Sequence, residues 1–211
     1  MILIFSTVNL SPHFRLQHQR HLLHMPQAEV YLVENFLSGA EAELLKQNLL
    51  NQAGWRQEKL KMFGKEVEQP RLTAWYADAG KAYTYSGLTW EPQPWLPALS
   101  QLRQKLEKTT GAQFNSVLLN LYRHGQDSMG WHADNEPELG QNPIIASISL
   151  GQPRVFAFKH NQQPELKLRL SLESGSLLLM AGSTQHFWKH QLPKSAKLME
   201  PRINLTFRFI Y

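Results

Sequence analysis

The sequence predicts an α+β domain in which an N-terminal half with two helices leads into an all-β C-terminal half. Two observations carry that expectation. Apolar residues recur at helical spacing only before Gly111, and after it seven short apolar runs are punctuated by Gly, Pro, Asn and Asp. At 211 residues, the chain is long enough to bury a core of its own as a single domain. Hydrophobic residues at 42% and charged residues at 18% exclude a disordered chain.

The elements follow in order. Residues 1–28 read as an N-terminal extension, expected to be mobile. They hold His13, His18, His21 and His24 among polar neighbours, which also suits a metal-binding tail. The apolar start, Met1 to Phe5, breaks within ten residues and lacks a preceding basic residue, so neither a signal segment nor a membrane span is expected. Val30 to Leu37 is strand-like and runs into Ser38-Gly39-Ala40-Glu41, a capping box that opens a helix with Leu44, Leu45 and Leu49 on it. A second helix from about Trp95 has Pro97 in its first turn, Leu99, Leu102 and Leu106 as its stripe, and Gly111 as its stop. The later runs are Ser116–Tyr122, Pro143–Leu150, Arg154–Phe158, Glu165–Leu170, Ser176–Met180, Phe187–Leu192 and Arg202–Tyr211. Many short strands at this spacing predict a sandwich or barrel.

Lysine and arginine exceed the acids by five, and the pI is about 9.5, a balance that suits a nucleic-acid partner. There is no cysteine, so disulfides and thiolate metal sites are excluded and a reducing, intracellular compartment is expected. That compartment is cytoplasm in a bacterium or nucleus in a eukaryote.

Three patterns carry chemistry. In Trp131-His132-Ala133-Asp134 an imidazole and a carboxylate sit two residues apart, and on extended backbone they point the same way. A third ligand is available from His186 or His190, which strand parity does not distinguish. Two histidines and a carboxylate suit non-haem iron with three open positions, and zinc hydrolysis is the competing use of the same ligands. In the last strand Arg202, Asn204, Thr206 and Arg208 alternate with Ile203, Leu205, Phe207 and Phe209. The polar face is either a solvated edge or the lining of a cavity. In a cavity two arginines require anions, and a dicarboxylate supplies both. Asn120 and Tyr122 repeat the device between Leu119 and Leu121.

These segments resemble the AlkB-type oxidative demethylases. Phe114 to Arg123, Trp131 to Glu136, Pro143 to Gly151, and Arg202 to Arg208 match the family's motifs in order and spacing, and the resemblance runs from about Tyr31 to Tyr211. It implies a double-stranded β-helix (jelly-roll) core in one dioxygenase domain, residues 29–211. It also implies iron(II) on His132, Asp134 and His190, with O2 as oxidant and 2-oxoglutarate on Asn120, Tyr122, Arg202, Asn204, Thr206 and Arg208. His190 is preferred to His186 because the family's ligand lies in a Trp-x-His segment followed by proline, as in Trp188 to Pro193.

The resemblance is strongest to the branch acting on double-stranded DNA, with nucleotide-recognition segments at about 55–90. From the residues alone Lys61-Met62-Phe63-Gly64-Lys65 reads slightly better as a surface hairpin with Phe63 folded inward; the resemblance reverses this and makes it an apolar wedge between phosphate-binding lysines. Arg71, Tyr83 and Tyr85 are assigned to the base pocket, with Asn135 and Glu136 near the base edge. Two departures stand out: Asn135 replaces an acid usual in that branch, and Tyr85 a common phenylalanine. The loop at His160 to Pro164 is short and holds no lysine or arginine, where those relatives can have a longer basic one. The implied reaction is removal of methyl groups from 1-methyladenine and 3-methylcytosine by a monomer acting on DNA away from any membrane, releasing formaldehyde, succinate and CO2. A relative acting on RNA or single strands, a catalytically silent reader of nucleic acid and a zinc hydrolase are the alternatives.

Overall fold

A computed structural model describes residues 20–62, 65–81, 83–85, 88–90 and 92–211. Fifteen strands and two 14-residue helices are described. The strands are β1 (Arg20–Leu22), β2 (Glu29–Val33), β3 (Lys59–Met62), β4 (Lys65–Glu68), β5 (Leu72–Ala77), β6 (Tyr83–Tyr85), β7 (Leu88–Trp90), β8 (Ser116–Tyr122), β9 (Met129–His132), β10 (Ile145–Gly151), β11 (Arg154–His160), β12 (Lys167–Leu172), β13 (Leu177–Ala181), β14 (Trp188–Leu192) and β15 (Arg202–Arg208).

Among the described residues, all pairings between these strands are antiparallel. A seven-stranded sheet has the order β1-β2-β13-β10-β15-β8-β5, and a four-stranded sheet the order β12-β11-β14-β9. Two further hairpins are β3-β4 and β6-β7. Alternation divides the large sheet's side chains between two clusters. On one face Val117, Leu119, Leu121, Ile148, Leu150, Ile203, Leu205 and Phe207 pack with Leu49 of α1 (Gly39–Gln52) and Leu99, Leu102 and Leu106 of α2 (Pro97–Thr110). On the other face Leu118, Tyr122, Ile145, Leu178 and Met180 meet Phe156, Phe158, Trp188 and Leu192 of the small sheet. The site lies on this second side, between the sheets.

Local chemistry accounts for both helices. In α1 the Ser38 hydroxyl accepts from Glu41 N at 3.3 Å while the Glu41 carboxylate accepts from Ser38 N at 2.7 Å, which completes the expected capping box. α2 starts with Pro97 at the first turn and stops at Gly111, whose φ of 73° is the left-handed conformation that glycine adopts without strain.

Two expectations change. Part of the segment expected to be an extension is docked: Arg20–Leu22 pairs with β2, Met25 is buried, and Trp188 Nε1 donates to Pro26 O at 2.8 Å. His186 is not on the strand that holds His190, because Thr184–Phe187 is a short helix, α3, and β14 begins at Trp188. Strand parity therefore never applied to it. The Lys61–Lys65 segment does form a hairpin, with Lys61, Met62 and Lys65 on its strands; Phe63 and Gly64 lie outside the described residues. No helix among the described residues is long and apolar enough to cross a membrane.

Candidate active site

The last strand is interior, not a solvated edge. β15 lies between β10 and β8, and all seven of its residues are buried. Its register explains the site. Asn204 is directly opposite Ser149 on one side and Asn120 on the other, Thr206 is opposite Ser147 and Leu118, and Arg202 is opposite Tyr122. Directly opposed residues share a face, so three strands place their polar side chains in one layer. Asn204 Nδ2 donates to Ser147 Oγ at 2.8 Å, Thr206 Oγ1 to Asn204 Oδ1 at 3.1 Å, and Arg202 Nη2 to Ser149 Oγ at 2.9 Å.

The small sheet supplies the opposing wall. His132 ends β9 directly opposite His190 of β14, with ring centroids 4.2 Å apart, and Phe156 stacks on His190 at 5.3 Å. Asp134 follows two residues on, and Arg208 Nη2 reaches it from the large sheet at 2.9 Å. One ligand atom from each of His132, Asp134 and His190 lies within 4.8 Å of the other two, so the three converge on a space that could hold one ion. Among the described residues no other group of three His, Cys, Asp or Glu is so placed.

Electrostatics prepares these ligands. The His132 Nδ1 is 2.8 Å from Gly130 O; a carbonyl only accepts, so Nδ1 carries the proton and Nε2 presents its lone pair. Burial lowers the pKa of His132, against the pull of Asp134. Burial and the neighbouring His132 push His190 down to about 3, so it is a neutral ligand at neutral pH. Burial would raise Asp134, but Arg208 and the two histidines outweigh it and hold the carboxyl at about 2.

Arg202 decides what else the pocket takes. Its guanidinium is fully buried against the Tyr122 ring and the Ser149 hydroxyl, no carboxylate among the described residues pairs with it, and Nε has no hydrogen-bond partner. Burial lowers its pKa only to about 10, so it remains a cation. A buried cation without an anion is costly, and a ligand carboxylate removes that cost.

The 2OG-Fe(II) oxygenase superfamily model matches residues 29–208. The chain belongs to that superfamily. A human protein named "Alpha-ketoglutarate-dependent dioxygenase alkB homolog 3" is 42% identical over 193 residues, which cover 87% of this chain and 67% of that protein. A bovine protein named "DNA oxidative demethylase ALKBH2" is 45% identical over 159 residues, 72% of this chain and 57% of that one. The solved structure of OsALKBH1 superposes with a TM-score of 0.63 at 18% identity, covering 90% of this chain and 99% of that one, which shows a shared fold.

As a 2OG-Fe(II) oxygenase the protein uses iron(II), 2-oxoglutarate and O2, and the pocket fits these groups. All nine residues expected from the sequence to hold metal and cosubstrate line this one pocket: Asn120, Tyr122, His132, Asp134, His190, Arg202, Asn204, Thr206 and Arg208. The substrate-side residues are less gathered. Arg71 is buried and donates from Nε to Asn120 Oδ1 at 2.8 Å, so it touches the site through a cosubstrate residue. Asn135 is exposed; Glu136 is half-buried, and its Oε2 has no hydrogen-bond partner among the described residues. Tyr83 and Tyr85 lie on β6.

Several contributors went unread in the sequence. Ser147 and Ser149 line or brace the pocket, and the alternation Ala146-Ser147-Ile148-Ser149-Leu150 is the same period-2 signal as in β15. Gln185 is buried and its Oε1 accepts from Asp134 N at 3.0 Å, a contact across 51 residues that no local pattern announces.

Proposed function

We propose that this dioxygenase removes methyl groups from alkylated bases in DNA, with 1-methyladenine and 3-methylcytosine as substrates and formaldehyde, succinate and CO2 as products. The observation that carries the reading is the coexistence, in one pocket, of the His132–Asp134–His190 cluster and an unneutralised Arg202. The relatives' names support the choice of substrate.

In this reading His132, Asp134 and His190 hold the metal. Arg202 binds the cosubstrate carboxylate remote from it, beside Tyr122, while Arg208 serves the carboxylate nearer Asp134. Asn204 and Thr206 order the cavity wall. Bound iron, with 2-oxoglutarate and O2, supplies the oxidant that hydroxylates the methyl group, and the hydroxymethyl group then leaves as formaldehyde. The two helices act as a buttress behind a jelly-roll core, supported by the cluster that α1 and α2 share with the large sheet. Residues 29–211 form one dioxygenase domain, with residues 20–28 docked onto it, acting as a monomer inside the cell.

A duplex is the favoured substrate form, because a lysine-flanked hairpin and the tyrosines of β6 precede the dioxygenase strands. The base must leave the stack to reach a pocket between two sheets. A product assay on methylated single- and double-stranded oligonucleotides tests both statements. Phe63→Ala is expected to lower duplex turnover about tenfold, equivalent to roughly 1.4 kcal/mol, and to affect single strands far less. Succinate formation that never depends on the methylated base would overturn the substrate assignment. Equal losses on both forms for Phe63→Ala would remove the wedge.

A further inference from the structure

The outer face of the small sheet carries positive charge that the site does not use. Alternation turns Phe156, Phe158 and His190 inward, and leaves Lys159, Lys167, Arg169 and Lys189 on the other face. Lys167, Arg169 and Lys189 are exposed, and Lys159 is half-buried.

The register makes this more than a scatter of surface lysines. Lys159 is directly opposite Lys167 on β12 and directly opposite Lys189 on β14, so three ammonium groups occupy one rung across three strands. With strands about 4.8 Å apart, the rung is about 10 Å wide. Like charges directly opposite each other are unfavourable in a sheet. Among the described residues no carboxylate forms an ion pair with any of the four cations. Lys159 instead lies over the ring of Trp131, with Nζ 4.5 Å from the centroid.

Trp131 places the strip. It is 36% exposed, lies on the edge strand β9, and immediately precedes His132 in the pocket. Inward from that edge the rung presents Lys189, Lys159 and Lys167 in turn.

We propose that this rung is a phosphate track, binding the nucleic-acid backbone that flanks the target base. The proposal rests on the nucleic-acid reading above and extends it. Repulsion within the rung is relieved when phosphates bind, and the sheet, rather than the short neutral loop at 160–164, provides the grip.

The test is a triple variant, Lys159→Gln/Lys167→Gln/Lys189→Gln, whose exposed or half-buried positions leave the core intact; an unchanged melting temperature verifies this. Binding to a methylated duplex of about 20 base pairs is measured over a salt series with manganese and 2-oxoglutarate under nitrogen. The slope of log K against log salt is expected to fall in magnitude by roughly 2–3, near 0.9 per phosphate contact. Turnover of a methylated nucleoside, which carries no phosphate for the rung to hold, stays at the wild-type level. A control variant, Lys46→Gln/Lys105→Gln/Lys108→Gln on the two helices, keeps the wild-type slope. An unchanged slope in the first variant, or an equal fall in the control, overturns the track. Failure of the demethylation reading looks different: the wild type then shows no methyl-dependent succinate on any oligonucleotide, while the salt slopes still decide whether the rung holds phosphate.

Discussion

The guanidinium of Arg208 lies 2.9 Å from Oδ1 of Asp134, both nearly fully buried, and joins the last strand to the carboxylate between the two site histidines. The two arginines of that strand therefore differ. Arg208 already has an anion, and its charge is a leading reason that Asp134 stays ionised despite its burial. Arg202 meets only neutral groups.

This difference separates the arginine variants. Removing one partner of a buried charged contact costs about 2–5 kcal/mol, which is more than tenfold in affinity. Arg202→Ala is expected to raise the KM for 2-oxoglutarate by at least that factor and to leave manganese affinity near wild type. Arg208→Ala is expected to raise the same KM and also to weaken manganese, because Asp134 loses its counter-charge. Succinate assays and a manganese titration read the two quantities. An unchanged KM in Arg208→Ala would break its assignment to the cosubstrate.

The histidines are tested as a pair. His190 is buried beside His132, whereas His186 is exposed on the preceding short helix, with Nε2 3.0 Å from Asn142 Oδ1. His190→Ala is expected to abolish iron-dependent turnover, and His186→Ala to retain most of it. The reverse result would move the third ligand.

The pH dependence of stability has a source outside the metal site. Asp127 is buried and accepts from Arg123 N at 2.9 Å, Nε at 2.8 Å and Nη2 at 3.1 Å. Burial raises its pKa, but the hydrogen bonds and charge of Arg123 outweigh this, so the folded value lies below the ordinary one. A depressed carboxylate pKa stabilises the fold above the unfolded value, about 3.9, and that contribution is lost as pH falls through the folded value. Asp127→Asn is expected to cost about 1–3 kcal/mol at pH 7. The gap between wild type and variant, measured by urea denaturation, should narrow below about pH 4. A constant gap from pH 7 to pH 3.5 would remove the ion pair from the account.

Much of this was legible because the site is built on strand alternation. Arg202, Asn204, Thr206 and Arg208 repeat every second residue, and the same period places Ile203, Leu205 and Phe207 in the core behind them. The helices were legible from their caps and stripes. What escaped the sequence was long-range pairing. That β15 lies inside the sheet depends on β8 and β10, more than 50 residues away in both cases, and nothing local distinguishes an inner amphipathic strand from an outer one. Strand β5, at the sheet's other margin, went unread because Leu72 to Ala77 has no alternation: five of its six residues are buried on one face or the other. The Arg208–Asp134 pair and the contact of Gln185 with Asp134 join distant segments, so they emerge only with the fold.

Gln185 gives the last prediction. Its Oε1 accepts from Asp134 N at 3.0 Å and its Nε2 lies 3.6 Å from Met180 Sδ, so one buried amide fixes the backbone of a proposed metal ligand to the floor of the pocket. Leucine at this position is similar in size but accepts nothing, and leaves the buried Asp134 N–H without a partner at a cost of about 1–3 kcal/mol. Groups that orient metal ligands typically change metal affinity by about 10–100-fold when removed. Gln185→Leu is therefore expected to weaken manganese by at least about tenfold, with a smaller change in the KM for 2-oxoglutarate. Met180→Leu removes only the thioether contact and keeps the acceptor on Asp134, so its manganese affinity should stay near wild type. Equal losses in the two variants would mean that packing around α3, rather than the hydrogen bond to Asp134, sets the metal affinity.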